Sequence, residues 1–142
     1  MSSLLVRQSI KAAVESLASP WPVFDLSEYQ TIDDITNNLT SEVVLIQYVV
    51  ADDQVQSIGG YQNQGWEETG TVVLHMVVPT GFASSPVVTK GDAIRNGIRG
   101  KRLTSEVVVE SCSPFVDFGG GGVDGAAHSY TANLFYTRRT CG

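Results

Sequence analysis

Two histidines, two cysteines and three adjacent carboxylate pairs are the residues of this chain with obvious chemical capacity. His75 and His128 could ligate a metal or shuttle protons, but neither has a His, Cys or carboxylate at ligand spacing beside it. Cys112 and Cys141 lack a CxxC partner and a recognisable nucleophile context, and two cysteines are too few for a disulfide scaffold. They read as reduced thiols, although a bridge between them stays open. Asp33-Asp34, Asp52-Asp53 and Glu67-Glu68 could be acid/base dyads only if both carboxyls met one substrate. Neighbours on extended backbone point to opposite faces, so these pairs read as solvated loop charges.

Glycines offer two phosphate-like signatures. Gly120-x-Gly122-x-x-Gly125 matches a dinucleotide fingerprint by letter. That motif works through a helix N-terminus following the glycines, whereas the segment after Gly125 alternates like a strand, so a hairpin tip is expected. Gly100-Lys101-Arg102 lacks the upstream glycine and the hydroxyl of a phosphate loop. There is no GxSxG elbow. The residues thus predict no catalytic group, no cofactor and no metal: the chain is expected not to be an enzyme.

The elements that carry these residues follow from periodicity. Val6, Ile10, Ala13, Val14 and Leu17 make one helical stripe, ended by Pro20 and Pro22. Trp21–Leu26 reads as a short edge strand. Val43–Val50 is a β-branched strand with apolar residues on both faces, and Thr71–Val78 alternates Val72, Leu74, Met76 and Val78 against Thr71, Val73, His75 and Val77. A second helix opens near Pro86, buries Val87, Gly91, Ile94 and Ile98, and stops at Gly100. Leu103–Cys112 and Ala127–Arg138 complete the set as strands. Without repeated βαβ alternation, the expected fold is α+β: a mixed or antiparallel sheet of about four to five strands with two helices on one face, one domain over residues 1–142. Two long loops are expected, Asp52–Thr69 and Ser113–Ala126, the second holding Gly119–Gly122.

Charge is distributed unevenly. The net charge is −6 over 142 residues, against the basic balance that gripping nucleic acid requires. No apolar run reaches the ~20 residues of a membrane helix, and the N-terminal residues lack the pattern of an export signal, so neither membrane nor secretion is expected. Residues 1–89 hold two cations and ten acids, a balance of −8, while residues 90–142 hold seven cations and five acids, a balance of +2. An acidic and a basic side on one small domain suit head-to-tail self-association into a ring. Arg95, Arg99 and Arg102 are the expected ring contacts, the first two lying one helical turn apart.

The order of these features resembles the tail terminator family of long-tailed bacteriophages. The resemblance covers most of the chain. It comprises the amphipathic helix running into Pro20-Trp21-Pro22, the loop closing with Gly65-Trp66-Glu67-Glu68-Thr69-Gly70, and the strand ending Val78-Pro79-Thr80-Gly81. It continues with the helix ending Ile98-Arg99-Gly100-Lys101, a glycine-bearing hairpin, and the strand ending Phe135-Tyr136. The resemblance implies a structural virion protein, assembled in the host cytoplasm into a homo-oligomeric, hexameric ring. That ring would cap the tail tube protein, end tube polymerisation and present its other face to the head-side connector, with DNA only passing through. On this reading Asp52, Asp53, Tyr61, Trp66, Glu67, Glu68, Asp117 and Asp124 lie on loops facing the tube or the channel, where acids would repel phosphate. Another phage neck or head–tail connector subunit is the alternative within structural proteins. A small ligand-binding α+β domain, with the glycine loop as phosphate cradle, is the alternative outside them.

Overall fold

The structure is a computed structural model that describes residues 4–19, 21–25, 42–57, 65–79, 84–121 and 127–141. In chain order the elements are α1 (Leu4–Ala18), β1 (Val23–Asp25), β2 (Val43–Ser57), β3 (Gly65–Pro79), α2 (Ser84–Ile98), β4 (Val107–Cys112), β5 (Val116–Gly121) and β6 (Ala127–Cys141). The expected α+β architecture is what forms. The sheet runs β1-β2-β3-β6-β4, with β1 parallel to β2 and every other pairing antiparallel. β5 also pairs with β6. β3 occupies one edge of β6 from end to end, so β4 and β5 share the other, β4 along Leu134–Arg138 and β5 along Ala127–Thr131. Six strands therefore make a sheet five strands wide, and it is not closed.

Both helices cover the same face. Val6, Ile10, Val14 and Ala18 of α1 and Val87, Ile94 and Ile98 of α2 join one core with Val44, Ile46, Val72, Leu74, Met76, Ala132, Leu134 and Tyr136. The 3.6-residue and two-residue periods of the sequence meet there, and each fully buried aliphatic side chain contributes roughly 1.5–3 kcal/mol. α2 stops where Gly100 takes φ 69°, the left-handed conformation that glycine adopts without strain.

Polar ties fix the helices over the sheet. Tyr48 of β2 donates its hydroxyl to the Arg7 carbonyl at 3.1 Å, the Arg7 guanidinium stacks 4.5 Å from the Tyr48 ring, and Arg7 pairs with Asp25 of β1 at 3.6 Å. Burial pushes the Tyr48 phenol above its usual range, so it stays protonated and donating. Lys90 of α2 donates to the Ser19 carbonyl at 2.9 Å while lying 5.6 Å from the Trp21 ring, which satisfies a backbone acceptor beyond the end of α1.

Three expectations need correction. The supposed loop Asp52–Thr69 is mostly strand: β2 and β3 pair continuously from Val43↔Val77 out to Ser57↔Gly65, through shifts near Val49 and Gln56. Each strand of 15 residues spans about 50 Å, while a 15-residue helix spans about 22 Å, so the sheet runs well past the helix layer. The supposed loop Ser113–Ala126 contains β5, which includes Gly119, Gly120 and Gly121; pairing of Gly120 and Gly121 with β6, beyond a register shift at 118–119, extends this stretch despite the low strand propensity of glycine. Leu103–Cys112 is strand only from Val107, because the Thr104 hydroxyl accepts from the Glu106 and Val107 amides at 3.2 and 3.1 Å and makes a tight turn.

Candidate functional site

Of the residues singled out by charge, Arg95, Arg99 and Arg102 lie towards the β4 edge of the sheet and Asp52 and Asp53 on β2, while Glu67 and Glu68 lie on the inner strand β3 and Asp117 on β5. At the β4 edge, α2 delivers Arg95 and Arg99, and the turn that follows delivers Lys101 and Arg102. Leu103 donates to the Val107 carbonyl at 2.8 Å, Val109 donates to the Lys101 carbonyl at 2.8 Å, and Arg102 bridges Val108. The basic turn is thereby strapped along the outside of β4, a placement that a plain reading of helix then strand does not reveal.

These cations do different work. Arg95 Nε donates to the Cys112 carbonyl at 3.0 Å, so its guanidinium ties α2 to the end of β4. Arg102 donates to the Ser105 carbonyl at 3.0 Å within its own exposed turn. Arg99, Lys101 and Arg102 are exposed, and none has a carboxylate partner among the described residues. Lys101 belongs with this group although the arginine spacing passed over it; its position one residue past the left-handed Gly100 was the available signal. Beside Arg102 a cleft of about 330 Å³ is lined by Glu106, Glu110 and Arg139 among others. Glu106 is already engaged, receiving both Nε and an Nη of Arg138 at 3.0 Å.

At the other edge, β1 pairs with β2 only at Val44, Leu45 and Ile46. Asp52 and Asp53 lie beyond that cover, in strand register with Thr69 and Glu68 of β3. They sit on a strand edge, not on a loop.

Glu67 and Glu68 are also strand residues, and neither is a solvated loop charge. Glu67 accepts from Arg139 at 2.9 Å, directly across the β3–β6 pair. Glu68 is buried and accepts from the Tyr136 hydroxyl at 2.7 Å. The two carboxylates do part to opposite faces, as extended backbone requires. Trp66 is 38% exposed, on β3 between Val55 and Thr140. Asp117 lies in β5 opposite Tyr130, likewise in a strand. Tyr61 and Asp124 lie outside the described residues.

The sheet face away from the helices carries a second cleft, of about 480 Å³, lined by Val73, His75, Val116, Thr131 and Asn133 with two serines. His75 Nε2 is 3.0 Å from Gln47 Oε1; an oxygen only accepts, so this nitrogen carries the hydrogen. Burial lowers the His75 pKa and keeps the ring neutral. Burial raises the Cys112 thiol, with Arg95 and Arg99 pulling in the opposite direction. Among the described residues no cluster of three His, Cys, Asp or Glu is placed to hold a metal, and no helix is long and apolar enough to cross a membrane.

These features define an open α+β sheet with helices α1 and α2 on one face. No family model matches the chain and no curated protein sequence matches it. Among solved structures, a protein whose description states no function superposes with a TM-score of 0.58 at 17% identity, over 97% of this chain and 96% of its own length. The likeness at that identity is one of fold.

Proposed function

We propose that the protein is a structural virion subunit that forms a ring on the end of a phage tail tube, stops further tube growth and offers its other face to the head-side connector. One observation carries this reading: the acidic stretch of β2 and the exposed cations of the β4 turn stand at opposite edges of one open sheet. About four inter-strand spacings, roughly 19 Å, separate those edges. A subunit with complementary, non-identical edges joins head to tail, and such contacts close into a ring when the rotation allows. The resemblance of the sequence to tail terminators supplies the kind of ring, a hexamer around a DNA channel in the virion.

Arg99 and Arg102 remain the ring-contact residues on this reading, joined by Lys101. Arg95 instead braces α2 against β4. Asp52 and Asp53 lie on the edge that meets a neighbour and the channel role falls to Asp117; Glu67 is paired with Arg139, and Glu68 is buried against the Tyr136 hydroxyl, within the subunit.

The test is assembly with and without the protein. Particles built without it should carry tubes of irregular length that fail to join heads, and adding purified protein should cap the tube end distal to the tail tip. Tails of uniform length joined to heads in its absence would remove the reading. Capping of the head connector alone would favour the neck-subunit alternative.

A further inference from the structure

We infer that two copies of the chain pair through the sheet face opposite the helices, with Phe135 of each entering the cleft of the other. The contact uses the face of the sheet and not its edges, so it stands or falls apart from the ring reading.

One face carries both halves of this contact. Ala132, Leu134 and Tyr136 of β6 join the core beneath the helices, so Thr131, Asn133 and Phe135 stand on the opposite side. Phe135 is 46% exposed there, directly across from Thr71 of β3. Asn133, its neighbour on that face, lies about 7 Å along the strand and lines the cleft of about 480 Å³. Register builds this cleft. Val116 of β5, Thr131 of β6 and His75 of β3 form one row, and Asn133 and Val73 form the next. Val116, 56% exposed, is the second large apolar side chain that the cleft leaves to solvent.

The lining selects what can enter. Val73 and Val116 are aliphatic; Thr131 and Asn133 are polar without charge, and His75 is held neutral by burial. A carboxylate, phosphate or ammonium would meet no counter-charge among these groups, whereas an aromatic ring loses little by leaving water for them. A projecting ring beside a cleft of this kind is self-complementary. A two-fold axis passing between Asn133 and Phe135 sets each ring in the other copy's cleft, the arrangement in which one patch serves both partners. Farther along the same face Glu67 and Arg139 neutralise each other at 2.9 Å, so that pair sets no like charge against its copy.

Area sets the strength. From Ser129 to Phe135 the face runs about 20 Å, and its four strands cover about 19 Å, so two copies bury about 800 Å² between them. That suits a weak, reversible pair and falls far below the 2,000 Å² or more, roughly, of an obligate dimer.

Sedimentation of the full chain tests this, and should show a monomer–dimer equilibrium with a Kd on the order of 100 μM. Phe135→Lys and Val116→Asp, both at exposed positions, should each weaken pairing about tenfold and leave the thermal midpoint in place. Val88→Asp, at a position 53% exposed on α2, should leave pairing unchanged. A chain still monomeric at about 1 mM, a dimer that tolerates Phe135→Lys, or one that responds equally to Val88→Asp would overturn the contact.

Backbone amide shifts of the parent chain on dilution give a reading that needs no variant. They should gather on Val73, Thr131, Asn133 and Phe135. Shifts gathered on Arg99, Lys101 and Arg102 would assign self-association to the sheet edge and overturn the face contact. A monomer whose Phe135 is covered only when tail tubes are added would give the face to the tube protein, and would also overturn the second-copy assignment. None of these outcomes alters whether the protein caps tubes.

Discussion

Tyr136 lies across the main chain of Gly70 and delivers its hydroxyl to Glu68 Oε2 at 2.7 Å. Gly70 and Tyr136 are direct partners in the β3–β6 register, and a Cβ on Gly70 would stand 2.5 Å from two ring carbons and the hydroxyl oxygen of Tyr136. The missing side chain on one strand is what lets the aromatic side chain of the other lie down over it, a cross-strand arrangement in which the ring covers backbone that glycine leaves bare.

Gly70→Ala should therefore destabilise the protein by about 1–3 kcal/mol, because the buried Tyr136 ring has no free space to retreat into. Tyr136→Phe, which keeps the ring and removes the 2.7 Å bond to a buried carboxylate, should cost about 1–2 kcal/mol. The two losses should not add in the double variant, since both act on the same ring. Urea unfolding of the three variants measures this; a Gly70→Ala chain as stable as the parent would contradict the packing described.

Arg95 and Arg102 should separate cleanly. Arg95→Gln removes a charged donor from the Cys112 carbonyl and should lower stability by about 1–2 kcal/mol. Arg102→Gln touches only an exposed bond within its own turn and should change stability by less than about 0.5 kcal/mol while weakening self-association. Thermal melts set beside sedimentation profiles distinguish the bracing arginine from the docking one; the opposite pattern would reverse the assignments.

His75 predicts a pH dependence. Its folded pKa lies below the ordinary 6.5, so the unfolded chain takes up the proton first. The stability this group contributes is complete above that ordinary value and declines as pH falls through it towards the folded value. Between about pH 7.5 and 5.5 the midpoint of the parent should drop further than that of His75→Gln. Equal slopes would show that the ring is not held neutral by its surroundings.

Cys112 is buried and its thiol is pushed up by that burial, so it should resist alkylation while the protein is folded. Labelling followed by peptide mapping should find Cys112 modified slowly at neutral pH and quickly in denaturant. Arg95→Gln, by releasing the Cys112 carbonyl, should speed the native-state reaction. Rapid labelling of the folded parent would contradict the burial.

The sequence made the helices and the core legible because their signals are local and redundant. Val6, Ile10 and Val14 repeat at helical steps, Pro86 and Gly100 bracket α2, and Ala132, Leu134 and Tyr136 alternate; each of these residues lies where its period placed it. The far halves of β2 and β3 were illegible because their order comes from pairing in a long ribbon and not from a buried face. Asp52, Asp53 and Gly65 carry turn-like chemistry that neighbouring strands override. Gly119–Gly121 failed for the same reason: only β6 makes them a strand. The charge asymmetry was visible in composition, whereas its arrangement across the sheet, and the diversion of Arg95 to a backbone carbonyl, depend on contacts that no spacing rule contains.

β6 pairs with β3, β4 and β5, and it follows all three in chain order. Its partner β3 lies some sixty residues upstream, so the β3–β6 pairing has a loop-closure entropy that must be overcome before any contact rewards it. During synthesis one flank of β3 lacks its β6 partner until β6 emerges, and β4 has the turn at Lys101–Leu103 but not its sheet neighbour before then. The sheet is completed only when that segment is in place. A proline at Asn133 would remove the amide that donates to the Ser113 hydroxyl at 2.9 Å, the bond that ties the chain between β4 and β5 to the middle of β6.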